Sequence, residues 1–136
     1  MKGVDTNVLV RYITRDDPGQ ERAASRFLES ARTRSKPIFV NVIVLCELVW
    51  MLRRTYEYSR AEVAAVIGQV LTTEQIVIED ADLAWLALSD FKGSKADFAD
   101  CLMGRKNLRL GCDATATFDG RLKGVAGFAA LPAARL

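Results

Sequence analysis

The chain has 136 residues, of which 50% are apolar and 26% are charged, and its formal net charge is +2. A chain of this length and composition buries a substantial core, so we expect one folded domain spanning residues 1–136, without disordered segments or repeats. It contains no histidine, which excludes triads built on histidine and every histidine-containing metal site, so any chemistry has to use carboxylates.

Neither a signal peptide nor a membrane span is expected. Asp5 interrupts the N-terminal apolar run, and no apolar segment is long enough to cross a bilayer without interruption. These features indicate a cytoplasmic protein. Cys46, Cys101 and Cys112 are odd in number and lie among apolar residues, which favours reduced thiols in the core over disulfides.

Short apolar strands alternate with amphipathic helices along the chain. The strands are predicted at residues 1–5, up to Val40, at Gln75–Ile78, within Leu110–Phe118 and, as an edge strand, within Val125–Leu131. Strands separated by helices form parallel sheets through right-handed crossovers. We therefore expect an α/β fold whose central parallel sheet of four to five strands is flanked by helices on both faces. The first strand is expected at the centre of this sheet.

Capping residues predict where the helices begin. Thr6 or Asn7 is expected to cap the first helix, so the Asp5 carboxylate would not be needed for capping and could bind a ligand. The alternative is that Asp5 is only a cap or turn residue, the common role of a single aspartate after a strand. The other signals are Asp17 before Pro18 and two capping boxes, Ser59 with Glu62 and Ser94 with Asp97.

Glu47 is the single charged residue in the apolar segment 38–52. An ionised carboxylate among apolar side chains costs several kcal/mol unless it is paired or binds a metal. The alternative is an ion pair with Arg53 or Arg54, of which only Arg54 returns to a similar face of the helix. Glu47 is therefore a candidate metal ligand.

Three aspartates in the second half of the chain are further candidates. Asp97 and Asp100 lie three apart at a predicted helix start, so both carboxylates share one face. Asp97 is explained as well by the capping box with Ser94 as by a metal role. Asp100 has no such alternative. Asp119 follows the fourth strand, where Asp-Gly by default indicates only a turn.

The expected topology brings these acids together. Parallel strands place their carboxyl ends, and the ligands bound there, at one edge of a sheet. The acids expected at that edge are Asp5, Glu47, Asp100 and Asp119. Four ionised carboxylates need a cation between them, and oxygen donors without histidine fit Mg²⁺ or Mn²⁺. Such an ion activates water for an in-line phosphoryl displacement.

The charge of the remaining chain fits a phosphate-rich substrate. Without these four acids and Asp97, 19 basic residues stand against 12 acidic ones. The basic side chains expected around the site are Arg11, Arg15, Arg105, Lys106, Arg109, Arg121 and Lys123. For each of them singly, solvated surface charge is the alternative.

The candidate acids lie in four segments: Val4–Leu9, Asn41–Leu52, Ala96–Leu102 and Thr117–Asp119. Together these segments resemble the PIN-domain ribonucleases, and more narrowly the VapC-type toxins of type II toxin–antitoxin pairs, over nearly the whole chain. The resemblance implies that Asp5, Glu47, Asp100 and Asp119 are an acidic quartet that holds the metal. It also implies that Asp97 is an auxiliary metal-binding acid and that Thr117 and Asn7 support the quartet.

The same resemblance implies Mg²⁺- or Mn²⁺-dependent cleavage of RNA, a homodimer, and inhibition by a small antitoxin protein that binds DNA through its other end. We expect that partner to cover apolar surface of the early helices and to insert a cation near Asp5 and Asp100. The supporting apolar candidates are Phe27, Leu28 and Trp50, although core packing is the commoner role for each.

Two other functions remain open. One is a phosphotransferase of the haloacid-dehalogenase or receiver type, in which an aspartate at a strand end is itself phosphorylated. The dehalogenase type places an acid two residues after this aspartate, where the chain has Asn7. The other is a catalytically idle PIN-like module that binds RNA or protein.

Overall fold

The computed structural model describes residues 1–133, and residues 134–136 of the predicted domain lie outside the described part. The chain forms two compact units, Met1–Ala81 and the residues from Asp82 on. Among residues 1–133, no helix is both long enough and apolar enough to cross a membrane.

The first unit, Met1–Ala81, contains a three-stranded parallel sheet and four helices. The strands are β1 (Lys2–Gly3), β2 (Ile38–Val40) and β3 (Ile76–Ile78), and the helices are α1 (Thr6–Thr14), α2 (Pro18–Thr33), α3 (Val42–Arg54) and α4 (Arg60–Thr72). In this sheet β2 lies between β1 and β3, with Ile38 opposite both Lys2 and Ile76.

The prediction that the first strand is central is wrong in this sheet. β1 has only two residues and both are exposed, whereas Ile38 and Val40 of β2 are buried. The longer and more apolar strand takes the position with a neighbour on each side, because the centre of a parallel sheet is its most buried part.

Local capping signals set the starts of α2 and α4 as predicted. The side chain of Asp17 accepts a hydrogen bond from the N–H of Gln20, and Pro18 occupies the first turn of α2. Ser59 and Glu62 form the reciprocal capping box of α4. These predictions are confirmed because each depends on residues within three positions.

Aliphatic side chains form the core of the first unit. α1 packs against α2 and α3, and α3 packs against α4. The fully buried side chains on these helices include Leu9, Leu45, Leu48, Leu52 and Ile67. Burial of each stabilises the fold by about 1.5–3 kcal/mol, and this packing fixes α1, which Asp5 precedes, and α3, which carries Glu47.

The second unit, from Asp82 to the end of the described residues, contains two helices and a two-stranded parallel sheet. The helices are α5 (Ala81–Lys92) and α6 (Phe98–Arg109), the strands are β4 (Thr115–Thr117) and β5 (Phe128–Ala130), and a single 3-10 turn spans Gly120–Leu122. Thr115 pairs with Phe128 and Thr117 with Ala130. Thr115 also accepts a side-chain hydrogen bond from Asn107 of α6 at 2.8 Å.

The α/β class is confirmed, but a single central sheet of four to five strands is not. Residues 1–133 form one three-stranded and one two-stranded sheet. The predicted fourth strand, Leu110–Phe118, pairs only from Thr115 on. Its first residues instead close α6, because Gly111 takes a positive φ of 100° and the N–H of Cys112 donates to the carbonyl of Asn107.

Two glycines allow α6 to approach the start of β5 closely. A Cβ atom on Gly127 would lie 2.6 Å from the carbonyl oxygen of Gly104, and Gly127 has a φ of 88°. A Cβ on Gly104 would in turn lie 2.6 Å from the ring of Phe128. Only glycine fits this contact, which fixes α6 against the β4–β5 pair.

The three cysteines are thiols, as predicted. Cys101 is buried in α6, and partial burial raises the pKa of Cys46 on α3. Cys112 is exposed. The expectation that all three lie in the core is therefore wrong for Cys112, because it follows the last turn of α6 rather than lying in a strand.

Candidate active site

Asp5 lies between β1 and α1 and is the N-cap of α1. Its Oδ1 accepts a hydrogen bond from the backbone N–H of Thr6 at 2.7 Å. The prediction that Thr6 or Asn7 caps this helix is wrong, because Asp5 is the last residue with extended backbone, at φ −83° and ψ 155°. Asp5 is exposed, and within residues 1–133 this is its only side-chain hydrogen bond. One carboxylate oxygen therefore stays open to a ligand.

Thr6 connects Asp5 with Glu47. Its side-chain hydroxyl donates to Oε1 of Glu47 at 3.3 Å, while its backbone N–H donates to Asp5. Thr6 is 4% exposed, so it is held in place by the core of the first unit. The sequence predicts Thr6 only as a possible helix cap and not as a donor to Glu47. The sequence feature that points to this contact is a hydroxyl side chain directly after a candidate metal ligand at a helix start.

Glu47 is exposed, so the prediction of a carboxylate surrounded by apolar side chains is wrong. Ile43 and Trp50, each about one turn from Glu47 on the same face of α3, are 64% and 57% exposed. The buried face of α3 is the one that carries Leu45, Leu48 and Leu52. Although the segment is apolar in sequence, α3 has one face exposed to solvent, and Glu47 lies in the middle of that face.

The alternative partners of Glu47 are engaged elsewhere. Arg53 donates to the backbone carbonyl of Tyr58 at 2.9 Å, and the guanidinium of Arg54 lies 5.9 Å from the centre of the Trp50 ring. Within the described residues, neither arginine pairs with Glu47. The ion-pair explanation of Glu47 therefore fails.

A cavity of about 590 Å³ adjoins Asp5 within the first unit. It is lined on one side by Asp5, Asn7 and Val8 and on the other by residues of α2 that include Phe27. Asn7 is exposed and lies at this open space. The supporting role that the resemblance implies for Asn7 stays a prediction.

Asp97 is the N-cap residue of α6, but its carboxylate makes no capping hydrogen bond. The predicted capping box with Ser94 is wrong because α6 begins at Phe98, one turn later than expected. The Ser94 hydroxyl instead donates to the carbonyl of Asp90 and accepts from the N–H of Ala96. The cap explanation of Asp97 is therefore removed, and its exposed carboxylate can bind a ligand.

Asp100 lies in the first turn of α6 and is half-buried. Burial and repulsion from the carboxylates of Asp97 and Asp119 raise its pKa, and the positive charge of Arg121 opposes this rise. The carboxylates of Asp97 and Asp119 are thus close enough to that of Asp100 to repel it within the second unit.

Asp119 precedes the 3-10 turn and is bound by the backbone and side chain of Arg121. Its Oδ1 accepts from the Arg121 N–H at 2.9 Å, and its Oδ2 accepts from Nη2 at 2.8 Å. This hydrogen-bonded arginine lowers the pKa of Asp119. Thr117 supports the backbone here, because its Oγ1 accepts from the N–H of Asp119 at 3.0 Å.

Several basic residues expected to surround the site have acidic partners. The pairs are Arg11 with Asp16, Arg105 with Asp90, Arg109 with Asp82, and Arg121 with Asp119. Each pair lies within one unit, and in each the arginine compensates the charge of an aspartate in that unit. The positive charge that these arginines present to a substrate is therefore smaller than the sequence indicated.

The donor chemistry of both units fits a hard divalent cation. The candidate ligands are carboxylate oxygens, which Mg²⁺ and Mn²⁺ prefer, and the repulsion around Asp100 is what a cation relieves. Within neither unit, over residues 1–133, do three or more Asp, Glu or Cys side chains form a group that could hold a metal ion by themselves.

Comparison with known proteins agrees with the sequence motifs. A model of the PIN domain family matches residues 3–128, which include every candidate acid from Asp5 to Asp119. The chain is also similar to a VapC ribonuclease of Aquifex aeolicus (strain VF5), with 26% identity over 123 residues that cover 90% of each chain. The resemblance indicated by the four segments is thus confirmed, and the chain belongs to the PIN domain family.

Proposed function

We propose that this protein is a divalent-metal-dependent endoribonuclease that acts as the toxin of a toxin–antitoxin pair. The observation that carries this proposal is the match of the PIN domain family to residues 3–128, which include all the candidate acids. Similarity to a VapC ribonuclease supports RNA as the substrate. We propose that it acts in the cytoplasm.

In this proposal, Asp5, Glu47, Asp100 and Asp119 hold Mg²⁺ or Mn²⁺, and Asp97 is an auxiliary acid. When bound, the ion supplies an activated water and stabilises the charge that develops on the phosphate. The fit of the four acids rests on their oxygen donors, on family membership, and on the exposure of Asp5 and Glu47.

The remaining polar residues orient these acids. Thr6 donates to both Asp5 and Glu47 and so restricts the carboxylate positions in the first unit. Thr117 fixes the backbone at Asp119 in the second unit. Asn7 lines the cavity beside Asp5. We propose that it contacts the Asp5 carboxylate on the side that faces the substrate.

We also propose a homodimer and a small antitoxin partner, as the VapC resemblance implies. The partner covers apolar surface of the first unit and inserts a cation near Asp5 and Asp100. Trp50 is 57% exposed, so the expectation that it packs in the core is wrong and an interface role is open to it. Phe27 and Leu28 are half-buried. Relief of growth arrest by a small protein encoded nearby tests this partner.

The nuclease proposal is tested by cleavage of RNA in Mg²⁺ with an EDTA control. We expect Asp5→Asn and Asp100→Asn each to reduce the rate by about 100-fold or more, because each removes a charged ligand. Asp113→Asn is the matched control, since Asp113 is an exposed aspartate outside the proposed quartet. Wild-type rates in both active-site variants would contradict the assignment.

The same preparations distinguish the two alternatives. Covalent phosphate on Asp5 after incubation with a phosphoryl donor indicates a phosphotransferase. A rise in melting temperature with Mg²⁺, but no cleavage across varied RNAs, indicates a binding module.

A further inference from the structure

The guanidinium of Arg121 covers the carboxylate of Asp119. Nη2 of Arg121 lies 2.8 Å from Oδ2, and Nε lies 3.2 Å from both Oδ1 and Oδ2. Since the backbone N–H of Arg121 also binds Oδ1 at 2.9 Å, both oxygens of Asp119 are engaged by one residue.

The same guanidinium extends toward the other carboxylates of the second unit. Nη2 lies 4.0 Å from Oδ2 of Asp97, and the positive charge of Arg121 acts on Asp100 as well. One cation of the chain thus acts on three carboxylates, of which Asp97 and Asp119 each repel Asp100. Compensation of this kind is the role that a divalent ion has in an acidic site.

The turn that carries Arg121 is anchored, whereas the Arg121 side chain is exposed to solvent. Leu122, the next residue, is 3% exposed and holds the 3-10 turn against the second unit. The Arg121 side chain is 55% exposed. It can therefore leave Asp119 by rotation of its own side-chain bonds, without unfolding the turn. The free-energy cost is small because water hydrates both charged groups when this exposed ion pair separates.

A guanidinium and a divalent cation compete for the same oxygens. A carboxylate lone pair that accepts a hydrogen bond from Arg121 is not available to coordinate a metal ion. The positive charges of the guanidinium and the ion also repel each other at short range. Asp119 therefore cannot keep its bidentate contact with Arg121 and also coordinate an ion with both oxygens.

We propose that Arg121 is an internal competitor of the divalent cation: it neutralises Asp119 and Asp97 in the metal-free protein and leaves Asp119 when the ion binds. Arg121 thereby weakens metal binding and holds the acids together until the ion arrives. This inference rests on the proposed function, because it takes Asp119 as a metal ligand.

The test is calorimetric titration of the full chain with Mg²⁺ and with Mn²⁺, in the absence of RNA. We expect Arg121→Gln to lower the Kd by about three- to tenfold, since one nearby positive charge is removed. Arg121→Lys keeps the charge but loses the two-pronged contact, so its Kd should fall less. Lys92→Gln removes an exposed positive charge from the end of α5 in the same unit and serves as the control, with an unchanged Kd.

A second measurement follows the side chain directly. In the ¹⁵N spectrum of the wild type, the Nε–H signal of Arg121 should move and exchange faster with water as Mg²⁺ is added. Arg121 is exposed, and melting curves of its variants check that they remain folded.

The outcomes separate the two proposals. If the wild type binds Mg²⁺ and cleaves RNA, but Arg121→Gln binds the ion equally well or more weakly, the competition is refuted while the nuclease stands. An Arg121 signal that is insensitive to Mg²⁺ refutes it as well. If the wild type binds neither ion and cleaves no RNA, the proposed function itself fails.

Discussion

The two units hold their acids by different means. In the first unit, Asp5 and Glu47 accept hydrogen bonds from the neutral donors of Thr6. In the second unit, Asp119 is held by the charged side chain of Arg121. Neutral donors orient a carboxylate and leave its negative charge, whereas a cation orients it and also cancels the charge. In the proposed metal site, the acids of the first unit would therefore meet the ion without a competing cation, whereas Asp119 of the second unit would exchange Arg121 for it.

The elements that carry these acids are also fixed differently. Interlocking aliphatic side chains such as Leu9 and Leu48 fix α1 and α3 in the first unit. In the second unit, a backbone contact between Gly104 and Gly127 fixes α6 against β5. Side-chain packing can adjust to a lost methyl group, but a backbone contact cannot accept an added one.

The largest effect on this comparison is expected from Gly127→Ala. The new Cβ would meet the carbonyl of Gly104 at 2.6 Å on a backbone with φ of 88°, so the free energy of unfolding should fall by about 2–4 kcal/mol. Chemical denaturation measures this loss, and a second unit that melts before the first would show it locally.

Gly124→Ala is the matched control for the close contact. Gly124 also has a positive φ, 81°, but a Cβ there would meet nothing within 4 Å. We expect its cost to be about 1 kcal/mol, from backbone strain alone. Equal losses in the two variants would mean that the approach of α6 to β5 contributes nothing.

A smaller effect is expected from Thr6→Val in the first unit. The substitution keeps the shape of this buried side chain and removes the hydroxyl that donates to Glu47 at 3.3 Å. Loss of one hydrogen bond of about 1 kcal/mol should weaken Mg²⁺ binding and reduce RNA cleavage by about three- to tenfold. Thr6→Ser retains the hydroxyl and should keep both. If Thr6→Val retains them equally, Thr6 does not position Glu47.

The smallest effect concerns pH in the metal-free protein. Burial and repulsion raise the pKa of Asp100 above its ordinary 3.8, so the folded state binds the proton more strongly than the unfolded chain does. This contribution favours folding at low pH and is lost as pH rises from the ordinary value through the raised one. At pH 7, Asp100→Asn should therefore raise the melting temperature, by about 1–3 °C after allowance for solvent screening.

Asp119→Asn is the opposite case in the same unit. Arg121 lowers the pKa of Asp119, so this carboxylate favours folding above its ordinary pKa, and the benefit is lost as pH falls through the lowered value. At pH 7 its replacement should lower the melting temperature. If the two variants shift in the same direction, charge compensation by Arg121 does not distinguish these acids.

The sequence by itself determined the features that depend on near neighbours. Residues a few positions apart predicted the starts of α2 and α4 and the division between β2 and α3. They also indicated the candidate acids. A cap, a proline or a hydrophobic period acts over one or two turns, so its signal lies within the segment that it organises.

Tertiary structure alone decided the features that depend on distant neighbours. β2 rather than β1 became the central strand of the first sheet, Glu47 came to lie on the open face of α3, and Thr6 bound a residue 41 positions away. Even Arg121 and Asp119, two residues apart, owe their contact to the anchored turn between β4 and Leu122. These outcomes follow from which surfaces are buried together, and burial is a property of the folded chain rather than of any segment.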